Sequence, residues 1–141
     1  MRAAFERAKF WVREDEAYNG YNPTVSTYVE EAARYGNVEF LKWLIETNGT
    51  LKKSLLTEDL CMIASENGQL HALQWLRSQD PPCPWDEDTC SNAARNGHLN
   101  VLQWVRSQVP QCPWDEYTCS KAARNGQMKV LKWYKPHHCY L

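Results

Sequence analysis

The chain reads as an all-α protein, a helix-turn-helix repeat solenoid, and three observations predict this. A motif of small residues closed by glycine recurs four times, ending at Gly36, Gly68, Gly97 and Gly126, which are 32, 29 and 29 residues apart. The tryptophans keep the same beat: Trp11, Trp43, Trp75, Trp104 and Trp133 form one series, and Trp85 and Trp114 a second. Laid one period apart, Leu73–Val101 and Leu102–Val130 are identical at 21 of 29 positions. Self-similarity at a short fixed period marks stacked supersecondary units. No stretch shows the two-residue alternation of a strand.

The units follow in order along a single repeat domain, 1–141. Residues 1–23 form an incomplete first beat. Ala3 to Arg13 reads as a lone helix bearing Trp11, followed by a polar connection with the turn signals Asn19-Gly20 and Asn22-Pro23. Full units span about 24–55, 56–84, 85–113 and 114–136, with a tail at 137–141. Each unit predicts two helices. The first opens at Thr57, Asp86 or Asp115, residues whose side chains accept hydrogen bonds from the free amides of a first turn. Glu87 and Glu116 then complement the helix dipole. The small pairs Ala32-Ala33, Ala64-Ser65, Ala93-Ala94 and Ala122-Ala123 suit a helix packed close to its neighbours. Asn-Gly closes that helix in three units, glycine supplying the left-handed cap.

The second helix starts at once. Leu99, Val101, Leu102, Trp104 and Val105 space one broad apolar face over about Leu99 to Gln108. Met128, Val130, Leu131, Trp133 and Tyr134 repeat it in the last unit. Prolines 81, 82 and 84, then 110 and 113, stop these helices. Trp43, Trp75, Trp104 and Trp133 are expected to line the interior between units.

Composition narrows the function classes. A net charge of -1 on 141 residues argues against nucleic acid as the partner. Mean hydropathy is -0.65, and no run approaches the length of a membrane span. The start, Met1-Arg-Ala-Ala-Phe-Glu-Arg, lacks the apolar core of a secretory signal, so an intracellular location is expected. No nucleophile elbow, P-loop, dinucleotide loop or His-Glu-x-x-His is present, and no enzyme is expected.

Within this frame, Thr89-Cys90-Ser91-Asn92-Ala93-Ala94-Arg95-Asn96-Gly97-His98-Leu99-Asn100-Val101-Leu102 resembles the ankyrin repeat. Ala93, Ala94, Gly97, His98, Leu99 and Val101 fall on the family's Ala-Ala-x-x-Gly-His-Leu-x-Val positions, and Cys90 on its buried leucine. The resemblance covers about Thr24 to Lys135. It departs in period, 29 here against about 33. It also departs in the loops, where Cys-Pro-Trp-Asp-Glu replaces the turn fingers, so shortened or absent β-hairpins are expected. This variant is similar to expanded ankyrin-like families of brown algae, oomycetes and large DNA viruses. The resemblance implies binding of a protein partner through the concave face and loop tips, without cofactor, metal or small-molecule substrate. A structural subunit of a larger assembly is the alternative. A zinc- or redox-responsive scaffold is a third reading.

The candidate partner-binding residues follow from the register. Arg34, Arg95 and Arg124 stack along one edge, interrupted by Glu66, with Tyr35 beside the first. Such a ridge is either a solvated row or a surface for an acidic partner. Asp88 and Tyr117 differ at equivalent positions of near-identical units, as do Asn92 and Lys121, which is what partner-specific contacts or drift produce. Trp85 and Trp114 are either staples onto the next helix or loop-tip anchors. His98 has no recurring partner, since Asn37, Gln69 and Gln127 take its place in the other units. His137-His138-Cys139 carries ligand atoms without a frame.

The six cysteines fall into classes. Cys61, Cys90 and Cys119 share a buried first-helix position, Cys83 and Cys112 a loop position, and Cys139 lies in the tail. Spacing of seven residues between Cys83 and Cys90 is unlike a zinc knuckle. Packed, reduced thiols are expected, with Cys83–Cys90 and Cys112–Cys119 the open disulfide alternatives.

Overall fold

A computed structural model describes residues 24–134, and these are all-α. The half unit 1–23 and the tail, including the His137-His138-Cys139 cluster, lie outside the described residues. Helices α1 (Val25–Arg34) and α2 (Val38–Thr47) form the first pair. A 3-10 turn, Gly49–Leu51, and the short α3 (Lys52–Leu55) follow. Then come α4 (Glu58–Glu66) with α5 (Leu70–Arg77), α6 (Glu87–Arg95) with α7 (Leu99–Ser107), and α8 (Glu116–Arg124) with α9 (Met128–Tyr134). No strand occurs among the described residues, the loops before α6 and α8 included.

One device joins the helices of all four pairs. Gly36, Gly68, Gly97 and Gly126 take φ of 66–75°, and two backbone bonds close the preceding helix around each. At Gly97 the glycine amide reaches the Ala94 carbonyl at 3.2 Å and the His98 amide the Ala93 carbonyl at 2.9 Å. These are the paired bonds of a Schellman cap. The N-caps follow the expected chemistry at Asp86, which accepts from the Asp88 and Thr89 amides, and at Asp115, which accepts from Thr118. Thr57 departs from it: it occupies the extended N-cap position of α4, but its side chain makes no capping bond. There Glu58 and Asp59 in the first turn supply the negative charge instead.

The first helices pack on one another in sequence, α1 on α4, α4 on α6 and α6 on α8, while each also packs on its own second helix. Alanine makes this closeness possible: Ala33, Ala64, Ala93, Ala94 and Ala122 are fully buried. The second helices contribute Leu41, Leu44, Leu73, Leu76, Leu102, Val101 and Val105 to the core. Trp43, Trp75, Trp104 and Trp133 are half-buried and pack against that core, whose centre is aliphatic. The three additional residues of the 32-residue spacing fall where the 3-10 turn and α3 replace a plain loop, at 49–55. Leu55 and Leu56 tie this insertion to the core.

Candidate functional site

The outward face of the first helices is built by residues at helical spacing: Asp88, Asn92 and Arg95 on α6, and Tyr117, Lys121 and Arg124 on α8. Arg34, Tyr35 and Glu66 occupy the C-terminal ends of α1 and α4. The structure pairs much of this charge internally. Arg95 donates to Glu66 Oε1 across the unit boundary at 2.8 Å. Glu66 thus pairs with one arginine of the row as well as interrupting it. Arg34 lies 3.6 Å from Glu31, one turn back on its own helix. Arg124 is exposed and has no ion pair among the described residues.

The two divergent pairs meet. Lys121 donates to Ser91 Oγ at 2.8 Å, and its Nζ lies 3.6 Å from Asp88 Oδ1. One unit's lysine therefore answers the aspartate of the unit before it, which gives a scaffold reason for two differences between otherwise near-identical repeats. Tyr117, in the place of Asp88 one unit later, is 64% exposed, and Tyr35 is 69% exposed. Both residues are thus largely open to solvent.

Trp85 and Trp114 are half-buried. The Arg77 guanidinium lies 3.9 Å over the Trp85 ring, while Trp104 meets that ring edge-on at 6.1 Å. Arg77 also donates to the Cys83 carbonyl at 2.6 Å, fixing the loop from the helix before it. Arg106 repeats that bond to Cys112 at 2.9 Å, and Trp114 stacks on Tyr134 at 3.8 Å. These contacts occupy much of each indole.

A periodic interaction escaped the sequence reading. The residue after Gly68, Gly97 and Gly126 reaches into the preceding unit, whereas Asn37, after Gly36, caps its own helix. Gln69 donates to the Arg34 carbonyl at 3.1 Å, and Gln127 to the Arg95 carbonyl at 3.0 Å. His98 Nε2 lies 2.9 Å from the Glu66 carbonyl, which can only accept, so that nitrogen carries a proton. His98 therefore shares a recurring role with glutamine: a long side chain with a donor at its tip. The available signal was a polar residue with such a tip after three of the four cap glycines.

The cysteines meet the expectation of packed, reduced thiols at four positions and depart from it at Cys119. Cys61, Cys83, Cys90 and Cys112 are free and fully buried, so the Cys83–Cys90 and Cys112–Cys119 pairings are not formed. Cys119, expected as a reduced packed thiol, is disulfide-bonded. The neighbours are instead Cys61 with Cys83, and Cys90 with Cys112. Hydrogen bonding with Cys83, then burial, pushes the Cys61 thiol far above its ordinary range, and Cys112 with burial does the same to Cys90. No group of three or more His, Cys, Asp or Glu side chains among the described residues is arranged to hold a metal ion.

A groove of about 530 Å³ lies between the 49–55 insertion and the proline loop, lined by Thr50, Lys52, Lys53, Leu56 and Pro81 among others. No helix of the described residues is long and apolar enough to cross a membrane. Comparison with known families, with curated proteins and with solved structures gave no match.

Proposed function

We propose that the chain is a protein–protein interaction module, a short ankyrin-like solenoid that binds its partner across the outward face of the first helices. The observation that carries this reading is the exposure of Tyr35 and Tyr117 on a face whose charges are otherwise largely paired. Large aromatic side chains beside an arginine are enriched where binding energy concentrates. An array of stacked units supplies a long, rigid surface without any unit holding a complete site. Tyr117 and Arg124 on α8 form one end of the proposed surface, and Arg34 with Tyr35 forms its other end. Asp88, Glu66 and Arg95 hold neighbouring units together and border it. Trp85 and Trp114 serve mainly to fix their loops.

The test is affinity capture from the native extract with wild type and with Tyr35→Ala/Tyr117→Ala/Arg124→Glu. These sites are exposed, and among the described residues Arg124 has no ion pair, so the variant should keep its helicity. The expected result is a specific partner held by wild type and lost by the still-helical variant. Equal capture by both removes this face from the account.

A further inference from the structure

Two pairs of buried thiols recur in the same register. Cys61 lies one turn beyond Thr57, the N-cap residue of α4, as Cys90 does beyond Asp86, the N-cap of α6. The loop cysteine of the following connection sits against that turn. Cys83 donates to the Thr57 carbonyl at 3.1 Å, and Cys61 lies 3.7 Å from the Cys83 carbonyl oxygen. Cys112 donates to the Asp86 carbonyl at 3.4 Å. Side chains of a helix lean toward its N-terminus, so Cys61 and Cys90 lean onto the loop thiol placed one turn below. The loop sulfur is fixed from its other side as well. The Cys83 amide bonds the Leu76 carbonyl at 3.0 Å, and the Cys112 amide the Val105 carbonyl at 3.3 Å. Cys119, at the first-helix position equivalent to Cys61 and Cys90, is already disulfide-bonded.

We propose that Cys61–Cys83 and Cys90–Cys112 are disulfide-forming pairs, closed by exchange with a low-molecular-weight disulfide of the glutathione type. One thiolate of a pair attacks a sulfur of the reagent, forming a mixed disulfide and releasing one glutathione thiolate. The second thiolate attacks the protein-side sulfur, forming the Sγ–Sγ bond and releasing the second glutathione. The two thiol protons end on the two released glutathione molecules, and two electrons pass from the pair to the reagent. Each bond ties the first helix of one unit to the loop leading into the next. Both sulfurs of each pair are fully buried, so exchange waits on a local lifting of the loop and is slow in the closed array. Oxidation thus turns an array held by packing into one stapled at two successive junctions.

The experiment uses the fully reduced 141-residue chain, incubated with oxidised glutathione in buffer and in urea below the unfolding transition. Remaining thiols are alkylated and the disulfides mapped by peptide mass spectrometry. The expected products are the Cys61–Cys83 and Cys90–Cys112 links, formed faster in low urea. A melting temperature higher by at least about 5 °C, reversed by reductant, should accompany them. In Cys83→Ser, Cys61 should end as a glutathione adduct while Cys90–Cys112 still forms. Persistent glutathione adducts at Cys61, Cys83, Cys90 or Cys112 in the wild type, a Cys83–Cys90 link, or any of these four thiols left unreacted even in low urea would each overturn the proposal. The wild-type map decides the matter even if the variant folds poorly.

Discussion

Gly97→Ala is the perturbation that best separates local from cross-unit stability. Its φ of +75° is left-handed, a conformation that costs an L-residue about 1–2 kcal/mol. An added Cβ would also overlap the Gln127 side-chain amide, whose Nε2 donates to the Arg95 carbonyl. The amide is the end of a flexible chain and can move, but only by giving up that bond, a further loss of about 1 kcal/mol. The total is about 2–3 kcal/mol. Gly126→Ala is the internal control: its φ is +66°, yet its Cβ would meet nothing within 4 Å, so only the backbone cost of about 1–2 kcal/mol applies. Urea unfolding followed by circular dichroism measures both. In a Gln127→Ala background, the cost of Gly97→Ala should fall to that of Gly126→Ala. Equal costs for the two glycines in the wild type would refute the cross-unit clamp.

Three further predictions rest on single contacts. Thr89 Oγ1 is buried without a hydrogen-bond partner, whereas Thr118 Oγ1 donates to Asp115 at 2.9 Å. Thr89→Val should therefore be neutral or slightly stabilising and Thr118→Val destabilising by about 1 kcal/mol in denaturant titrations, because only the second change removes a made bond. The Cys61 and Cys90 thiols are raised in the folded chain, so the unfolded chain loses these protons first as pH rises. Stability present below the ordinary thiol value of 9.0 should decline above it, by up to roughly 1.4 kcal/mol per pH unit for each thiol. Cys61→Ala should flatten that decline, and a slope unchanged by the substitution would remove the thiol as its source. Glu66→Gln should cost less than about 1 kcal/mol, since both partners of its bridge to Arg95 are partly exposed, and the cost should shrink as salt is raised.

The helix pairs were legible because their signals are local and repeated: a cap glycine, an alanine pair and an apolar face each recur within one period. The expected run of about Leu99 to Gln108 and the observed Leu99–Ser107 differ only at the cap residue. What stayed hidden depends on which side chain of one unit meets which of the next. Gln127 and Arg95, Lys121 and Asp88, and Glu66 and Arg95 are about a repeat apart in sequence, and periodicity sets their register but not their reach. The cysteines illustrate the same limit. Their periods were plain, but Cys83–Cys90 stayed open as an alternative to reduced thiols because nearness in sequence could not exclude it; the fold returns Cys83 to the preceding helix instead. The insertion at 49–55 was hidden too, because three added residues carry no periodicity of their own.

Binding of a partner protein by the first-helix face is tested by the dissociation constant of the captured partner for wild type, Tyr117→Ala and Gln103→Ala. Tyr117 is exposed on α8, and Gln103 is exposed on the second helix α7. Tyr117→Ala should weaken binding by roughly ten-fold or more while Gln103→Ala binds like wild type. Wild-type affinity in Tyr117→Ala together with a loss in Gln103→Ala would contradict this and move the interface to the second helices.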